Sequence, residues 1–250
     1  MVHKAMNMRN TFASSGRWFV AMLALGLWEA QAADLSGQVV KAASRLAAAS
    51  GYAWKTFTQT GQGGLRAGQF EGRATREGVV YLSSISVEPG AEAYLKDGKG
   101  VIRRLGVWET LKEAALSTNT QAGAMRWLGR MLQSYQAPAA EATELATRST
   151  NLRRESEAIT GILTEEAVRG IIGRWGVRVG DAEPQVSEPR GVVKFWVQDG
   201  VLTRYEYRVS AVLALDGNRK NVDRTTTVEL EQIGSATVEL PEEARAKLGL

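Results

Sequence analysis

The clearest periodicity lies in the last third of the chain. Val201, Thr203, Tyr205, Tyr207, Val209 and Ala211 alternate with Leu202, Arg204, Glu206, Arg208 and Ser210. A period of two predicts a strand with one buried and one wetted face, the habit of antiparallel sheets. Val193, Phe195 and Val197 alternate in the same way, and Asp199-Gly200 between the two runs suits a two-residue hairpin turn. Asp216-Gly217-Asn218 predicts another turn, leading into a strand over 224–232. Gly234 then marks a break before a short strand over 237–240, and Pro241 stands in the first turn of a terminal helix.

Earlier in the chain the period changes twice. Leu35, Val39, Ala42 and Leu46 recur at helical spacing, with Asp34 or Ser36 as a capping residue and Ser50-Gly51 as the stop. From 52 to 108 the aromatic and β-branched content predicts strands, beginning with the run from Tyr52 to Thr60. Further strands are expected over 69–75, 78–82, 91–96 and 101–105, with Gly61 to Gly64 and Asp97-Gly98 as turns. Between 121 and 175 the spacing is read as helical. Met125, Leu128, Leu132 and Tyr135 share one face, with Trp127 and Met131 beside it. Pro138 interrupts, an alanine-rich stretch to 159 is expected to be helical, and Thr164 caps a helix carrying Val168, Ile171, Ile172 and Trp175 up to Gly176. Strands in runs and helices in runs predict an α+β fold: a curved antiparallel sheet, an unclosed β-barrel, with helices covering its concave side.

The first 32 residues read differently. Lys4, Arg9 and Arg17 precede an apolar run from Trp18 to Trp28, and Ala30-Gln31-Ala32 gives small residues at a cut before Ala33. This three-part pattern predicts a cleavable secretory signal over 1–32 and one domain over 33–250. The apolar run is about half the roughly 20 residues that an anchor needs to cross a bilayer, and no later run is long enough, so no integral span is expected after cleavage. The expected destination is the periplasm or the exterior. The chain contains no cysteine, so export brings neither a disulfide nor a lipid attached to an N-terminal cysteine.

Charge adds little. The leader removes three of the 31 Lys and Arg and one of the 27 Asp and Glu, which leaves the remainder nearly balanced. Basic residues pair briefly, as at Arg103-Arg104 and Arg153-Arg154, far short of a nucleic-acid footprint.

Composition is more informative about chemistry. The single histidine is His3, inside the leader. A mature chain without histidine or cysteine has no Ser-His-Asp or Cys-His site and lacks the ligands zinc and most transition metals favour, so no metal or cofactor is expected. Gly61 to Gly64 is too short for a phosphate loop. Glu165-Glu166 and Glu242-Glu243 each open an expected helix, where carboxylates oppose the helix dipole favourably, so a glycosidase pair is the weaker reading. No enzyme is predicted.

The aromatic residues sit mostly on expected strands, where they serve either as core or as the lining of a cavity. The combination of leader, alanine-rich first helix, Tyr52-Ala53-Trp54-Lys55 and a glycine turn resembles the periplasmic lipoprotein and lipid carriers of the LolA and LppX type. The closing segments, Phe195 to Leu202, Thr225 to Leu230 and Val238 to Ala244, add to the resemblance. It implies an unclosed barrel with helices as a lid over an apolar cavity that takes a lipid, an acyl chain or an envelope lipoprotein. On that reading Trp54, Tyr81, Phe195, Tyr205 and Tyr207 line the cavity, and Met125, Trp127 and Met131 form the lid. The alternative is a structural or interaction subunit of an envelope complex, its sheet packed solid by the helices.

Overall fold

A computed structural model describes residues 34–61, 65–83, 91–104, 106–116, 122–175, 183–215 and 217–250. The leader, residues 62–64 of the glycine turn, Leu105, Gly176 and Asp216 lie outside the described residues.

Helix α1 spans 34–48 and is followed by strands β1 (Gly51–Thr60), β2 (Leu65–Thr75), β3 (Val80–Ser83), β4 (Glu92–Lys96), β5 (Lys99–Arg104) and β6 (Val107–Thr110). Helices α2 (Leu111–Leu116), α3 (Ala122–Gln133) and α4 (Pro138–Thr147) come next. A hairpin of β7 (Ser149–Glu155) and β8 (Ala158–Leu163) leads to α5 (Glu165–Arg174). The chain closes with β9 (Gln185–Gln198), β10 (Val201–Leu215), β11 (Asn218–Glu231) and α6 (Glu242–Leu248). The fold is α+β, as the grouping of strands and helices predicts.

All the strands among the described residues belong to one antiparallel sheet of order β6-β5-β4-β3-β2-β1-β11-β10-β9-β8-β7. The two edge strands, β6 and β7, are not paired to each other, so the barrel is unclosed. The first and last strand groups meet at β1 and β11, in a register that sets Thr56 opposite Val228 and Thr58 opposite Thr226. Two hairpins turn where expected: Asp97 and Gly98 (φ 49° and 74°) and Asp199 and Gly200 (φ 52° and 75°) hold the paired positive φ that two-residue turns require.

The core fills the space between the concave face and helices α1, α3, α4 and α5. Leu35, Val39, Ala42 and Leu46 of α1 are buried there, as their spacing predicts. Helix α1 is tied to turns at two places on the sheet: Arg45 donates to the Gly200 carbonyl at 3.1 Å and Arg76 to the Ala48 carbonyl at 2.9 Å. Gly72 has no side chain because the Trp54 ring occupies that space; a Cβ there would stand 2.1 Å from Trp54 Cζ2. Helix α6 lies apart, packing on Tyr94, Val101 and Trp108. Val101 faces α6 while Ile102, the next residue on β5, faces the main core. None of the helices among the described residues is long and apolar enough to cross a membrane.

Three expectations need correcting. The 121–175 segment is not helical throughout: α4 ends at Thr147, and 149–163 is the β7–β8 hairpin that extends the sheet beyond β9. Residues 237–240 form no strand; the Glu239 carbonyl instead accepts from Tyr94 Oη at 2.8 Å, and Val238 and Leu240 pack beside α6. Ser36 is not a cap, since it lies inside α1 and donates to the Ala146 carbonyl at 3.1 Å, joining α1 to α4.

Candidate functional site

A cavity of about 240 Å³ lies between the concave face and the helical layer. Alternation along the strands builds its floor. Thr56, Thr58 and Thr60 project from β1, Arg224, Thr226 and Val228 from β11, and Tyr205 and Tyr207 from β10. Cross-strand register brings these into rows, Tyr205 opposite Val228 and Tyr207 opposite Thr226. Phe70 on β2 stands opposite Thr56 and closes the floor on that side.

The roof is helical. Trp127 and Met131 come from α3, Pro138 and Glu141 from α4, and Ile171 and Arg174 from α5, with Tyr135 and Trp175 from the segments that follow α3 and α5. Trp127 Nε1 donates to the Trp175 carbonyl at 2.7 Å, which fastens α3 to the C-terminal end of α5. Tyr135 meets Phe70 edge-on, with centroids 6.1 Å apart, so roof and floor touch at one margin. The α5 backbone is fixed at its other end by Thr164, whose hydroxyl accepts from the Ala167 amide at 3.2 Å.

The lining combines apolar and polar side chains. Phe70, Trp127, Met131, Ile171 and Val228 supply the apolar surface. Among the polar groups is Glu141, whose carboxylate accepts from Tyr205 Oη at 2.6 Å and from Tyr207 Oη at 3.0 Å, one phenol on each oxygen. Burial pushes the Glu141 carboxyl above its ordinary range, against the opposing effect of the two phenols and the Arg174 charge. Burial also raises the Tyr205 and Tyr207 hydroxyls, and the neighbouring carboxylate adds to the effect.

Two guanidinium groups also line the cavity. Arg174 Nη1 reaches both carboxylate oxygens of Glu144 at 3.2 Å, while its Nη2 is buried and makes no hydrogen bond within the protein. Arg224 lies over the Trp175 ring, 5.0 Å from its centroid, and its Nη2 donates to Thr58 Oγ1 at 3.3 Å. Its Nε is shut off from solvent without a partner, and burial lowers the guanidinium pKa.

The residues predicted from sequence divide. Tyr205, Tyr207, Trp127 and Met131 all line the cavity. Trp54 is fully buried in the core, with its ring over Gly72. Phe195 is also fully buried, opposite Tyr205 on one side and Ile159 on the other. Met125 is buried in the core and does not reach the cavity. Tyr81 stands on the α6 side of the sheet, its ring 5.0 Å from Tyr94 and its hydroxyl bonded to Glu92 at 3.1 Å. Glu141, Arg174, Arg224 and the threonines were not singled out by sequence.

No protein-family model matches the chain, and no curated protein matches it. Solved structures of similar layout do exist. The lipoprotein LppX of Mycobacterium tuberculosis is 10% identical, with a TM-score of 0.48, over 82% of this chain and 97% of that one. LprF of Mycobacterium bovis is 11% identical, with a TM-score of 0.39, over 84% of this chain and 97% of that one. A LolA superfamily protein of Nitrosomonas europaea is 10% identical, with a TM-score of 0.30, over 80% of this chain and 95% of that one. Similarity at this level concerns layout alone, so the chemistry has to be read from the cavity's own residues.

Proposed function

We propose that this chain is an exported, non-catalytic carrier that takes an acyl chain, or a comparable apolar segment of a lipid or envelope lipoprotein, into the cavity. The observation that carries this reading is the lined space itself. Phe70, Trp127, Met131, Ile171 and Val228 leave about 240 Å³ unfilled between sheet and helices. Interiors are ordinarily packed with few voids larger than a water molecule. The volume lies just below the roughly 300–1,000 Å³ of small-molecule pockets, which favours one chain over a bulky multi-chain lipid. In this reading residues 1–32 direct export to the periplasm or beyond, and 33–250 act as one binding domain.

Native mass spectrometry of the chain exported with its own leader tests the proposal. Releasable lipid-sized mass, lost on delipidation and regained on adding a fatty acid, supports it. A bare chain that takes up no fatty acid refutes it.

The second reading, a filled-core interaction subunit, draws on Trp54 and Phe195, which are fully buried in the core and not on the cavity. A lipid-free chain with a specific envelope partner would favour it.

A further inference from the structure

We propose that the cavity recognises the head of its guest as well as its tail: Arg174 and Arg224 form a subsite for the anionic head group of a single-chain amphiphile, a carboxylate or phosphate monoester. This rests on the carrier reading and gives it a ligand class.

The argument is one of donors without acceptors. Arg174 spends Nη1 on Glu144 and keeps Nη2 buried and unbonded. Arg224 spends Nη2 on Thr58 and keeps Nε buried and unbonded. Arg224 makes no ion pair among the described residues, and the Glu141 charge acts on it only from further off. Charged donors left unmet in a protein interior are costly. Both arginines line the same cavity, and Arg224 lies over the ring of Trp175, the residue that follows Arg174.

Glu141 does not fill the role. Its two oxygens already accept from Tyr205 and Tyr207. What stays unmet is a pair of charged donors, Arg174 Nη2 and Arg224 Nε. An oxyanion accepting from both guanidinium groups would satisfy them, and planar or forked oxyanions are what arginine binds best. Phe70, Met131, Ile171 and Val228 then remain for the hydrocarbon.

Calorimetric titration of the delipidated full chain tests this, using dodecanoate, dodecyl phosphate and dodecanol, with acetate and inorganic phosphate as anions lacking a chain. The two anionic amphiphiles are expected to bind on the order of tenfold more tightly than the alcohol, as a charge-assisted hydrogen bond implies. That ratio should fall towards one in Arg224→Gln, with circular dichroism confirming the fold. If the variant does not fold, the acid-to-alcohol ratio of the unaltered chain decides. Equal affinity for acid and alcohol overturns the head-group subsite and leaves the carrier reading standing. Failure of all three amphiphiles overturns both. Acetate or phosphate binding as tightly as the long chains would make this an anion site without an acyl function, which also overturns the proposal.

Discussion

The Tyr205 hydroxyl donates to Glu141 Oε2 across 2.6 Å, and this bond joins the floor of the sheet to the helical layer above it. Tyr207 repeats the link two residues along the same strand, at 3.0 Å to the other oxygen. A single helix residue thus holds α4 against β10 while forming part of the cavity wall. Such a bridge is worth most in a dry interior, where each polar group depends on the others for its partner.

Removing that acceptor should cost more than removing the whole network. Glu141→Ala leaves two buried phenols unmet and is expected to destabilise by about 2–4 kcal/mol in urea unfolding. Combining Glu141→Leu with Tyr205→Phe and Tyr207→Phe should recover part of the loss, because no polar group is then left without a partner. A triple variant worse than Glu141→Ala would contradict the coupling.

The raised carboxyl of Glu141 also gives stability a pH dependence opposite to that of a salt-bridged acid. The folded state keeps this proton where the unfolded chain, at the ordinary value of 4.5, has lost it. The group's contribution is therefore greatest below 4.5 and declines as pH rises from there through the folded value. Unfolding midpoints followed upward from pH 4 should show this decline, and Glu141→Gln should flatten it. An unchanged slope in that variant would count against the assignment.

Alkaline pH exposes a second set of groups. Burial raises Tyr205 and Tyr207, and pushes Tyr52 up to about 12. The native state retains these phenolic protons above the ordinary value of 10 while the unfolded chain releases them, so stability should drop as pH rises past 10. Tyr52→Phe should lessen the drop in a thermal melt series between pH 9 and 12.

Trp127 and Trp175 bear on ligand release. Trp127→Phe deletes the 2.7 Å bond to the Trp175 carbonyl, at an expected cost of about 1 kcal/mol. Loosening α3 from α5 should speed dissociation of a bound acyl chain more than it slows association, measurable by stopped-flow fluorescence.

Close packing under the floor makes Gly72 intolerant. Gly72→Ala places a methyl group within the Trp54 ring's volume, and the forced shift should cost about 1–3 kcal/mol, with a changed near-ultraviolet dichroism from Trp54.

Much of this architecture was legible because strand and hairpin signals are local. The alternation through Tyr205 and Tyr207 put both on one face, and that face forms part of the cavity floor. The β7–β8 hairpin leaves little local signal because β7 is an edge strand with Leu152 as its one buried residue, and a register shift between Thr150 and Arg153 interrupts its period. The propensity of the alanine-rich α4 then extended the helical reading past its true end. Glu141 did leave a signal. It falls at helical spacing among Pro138, Ala142 and Leu145, an acid on an otherwise apolar face. Arg224 likewise continues the inward alternation of Thr226 and Val228. Whether an inward aromatic lines the cavity or fills the core is not local information. Trp54 and Thr56 share the inward side of β1, and the packing above each residue leaves Trp54 in the core and Thr56 on the cavity.

Quenching of tryptophan fluorescence by a brominated fatty acid tests the central claim most directly, because two of the tryptophans line the cavity. The account predicts saturable quenching of the delipidated chain, largely lost when Trp127 and Trp175 are both changed to phenylalanine. No quenching, or equal quenching in that double variant, would place the acyl chain elsewhere or nowhere and contradict the carrier reading.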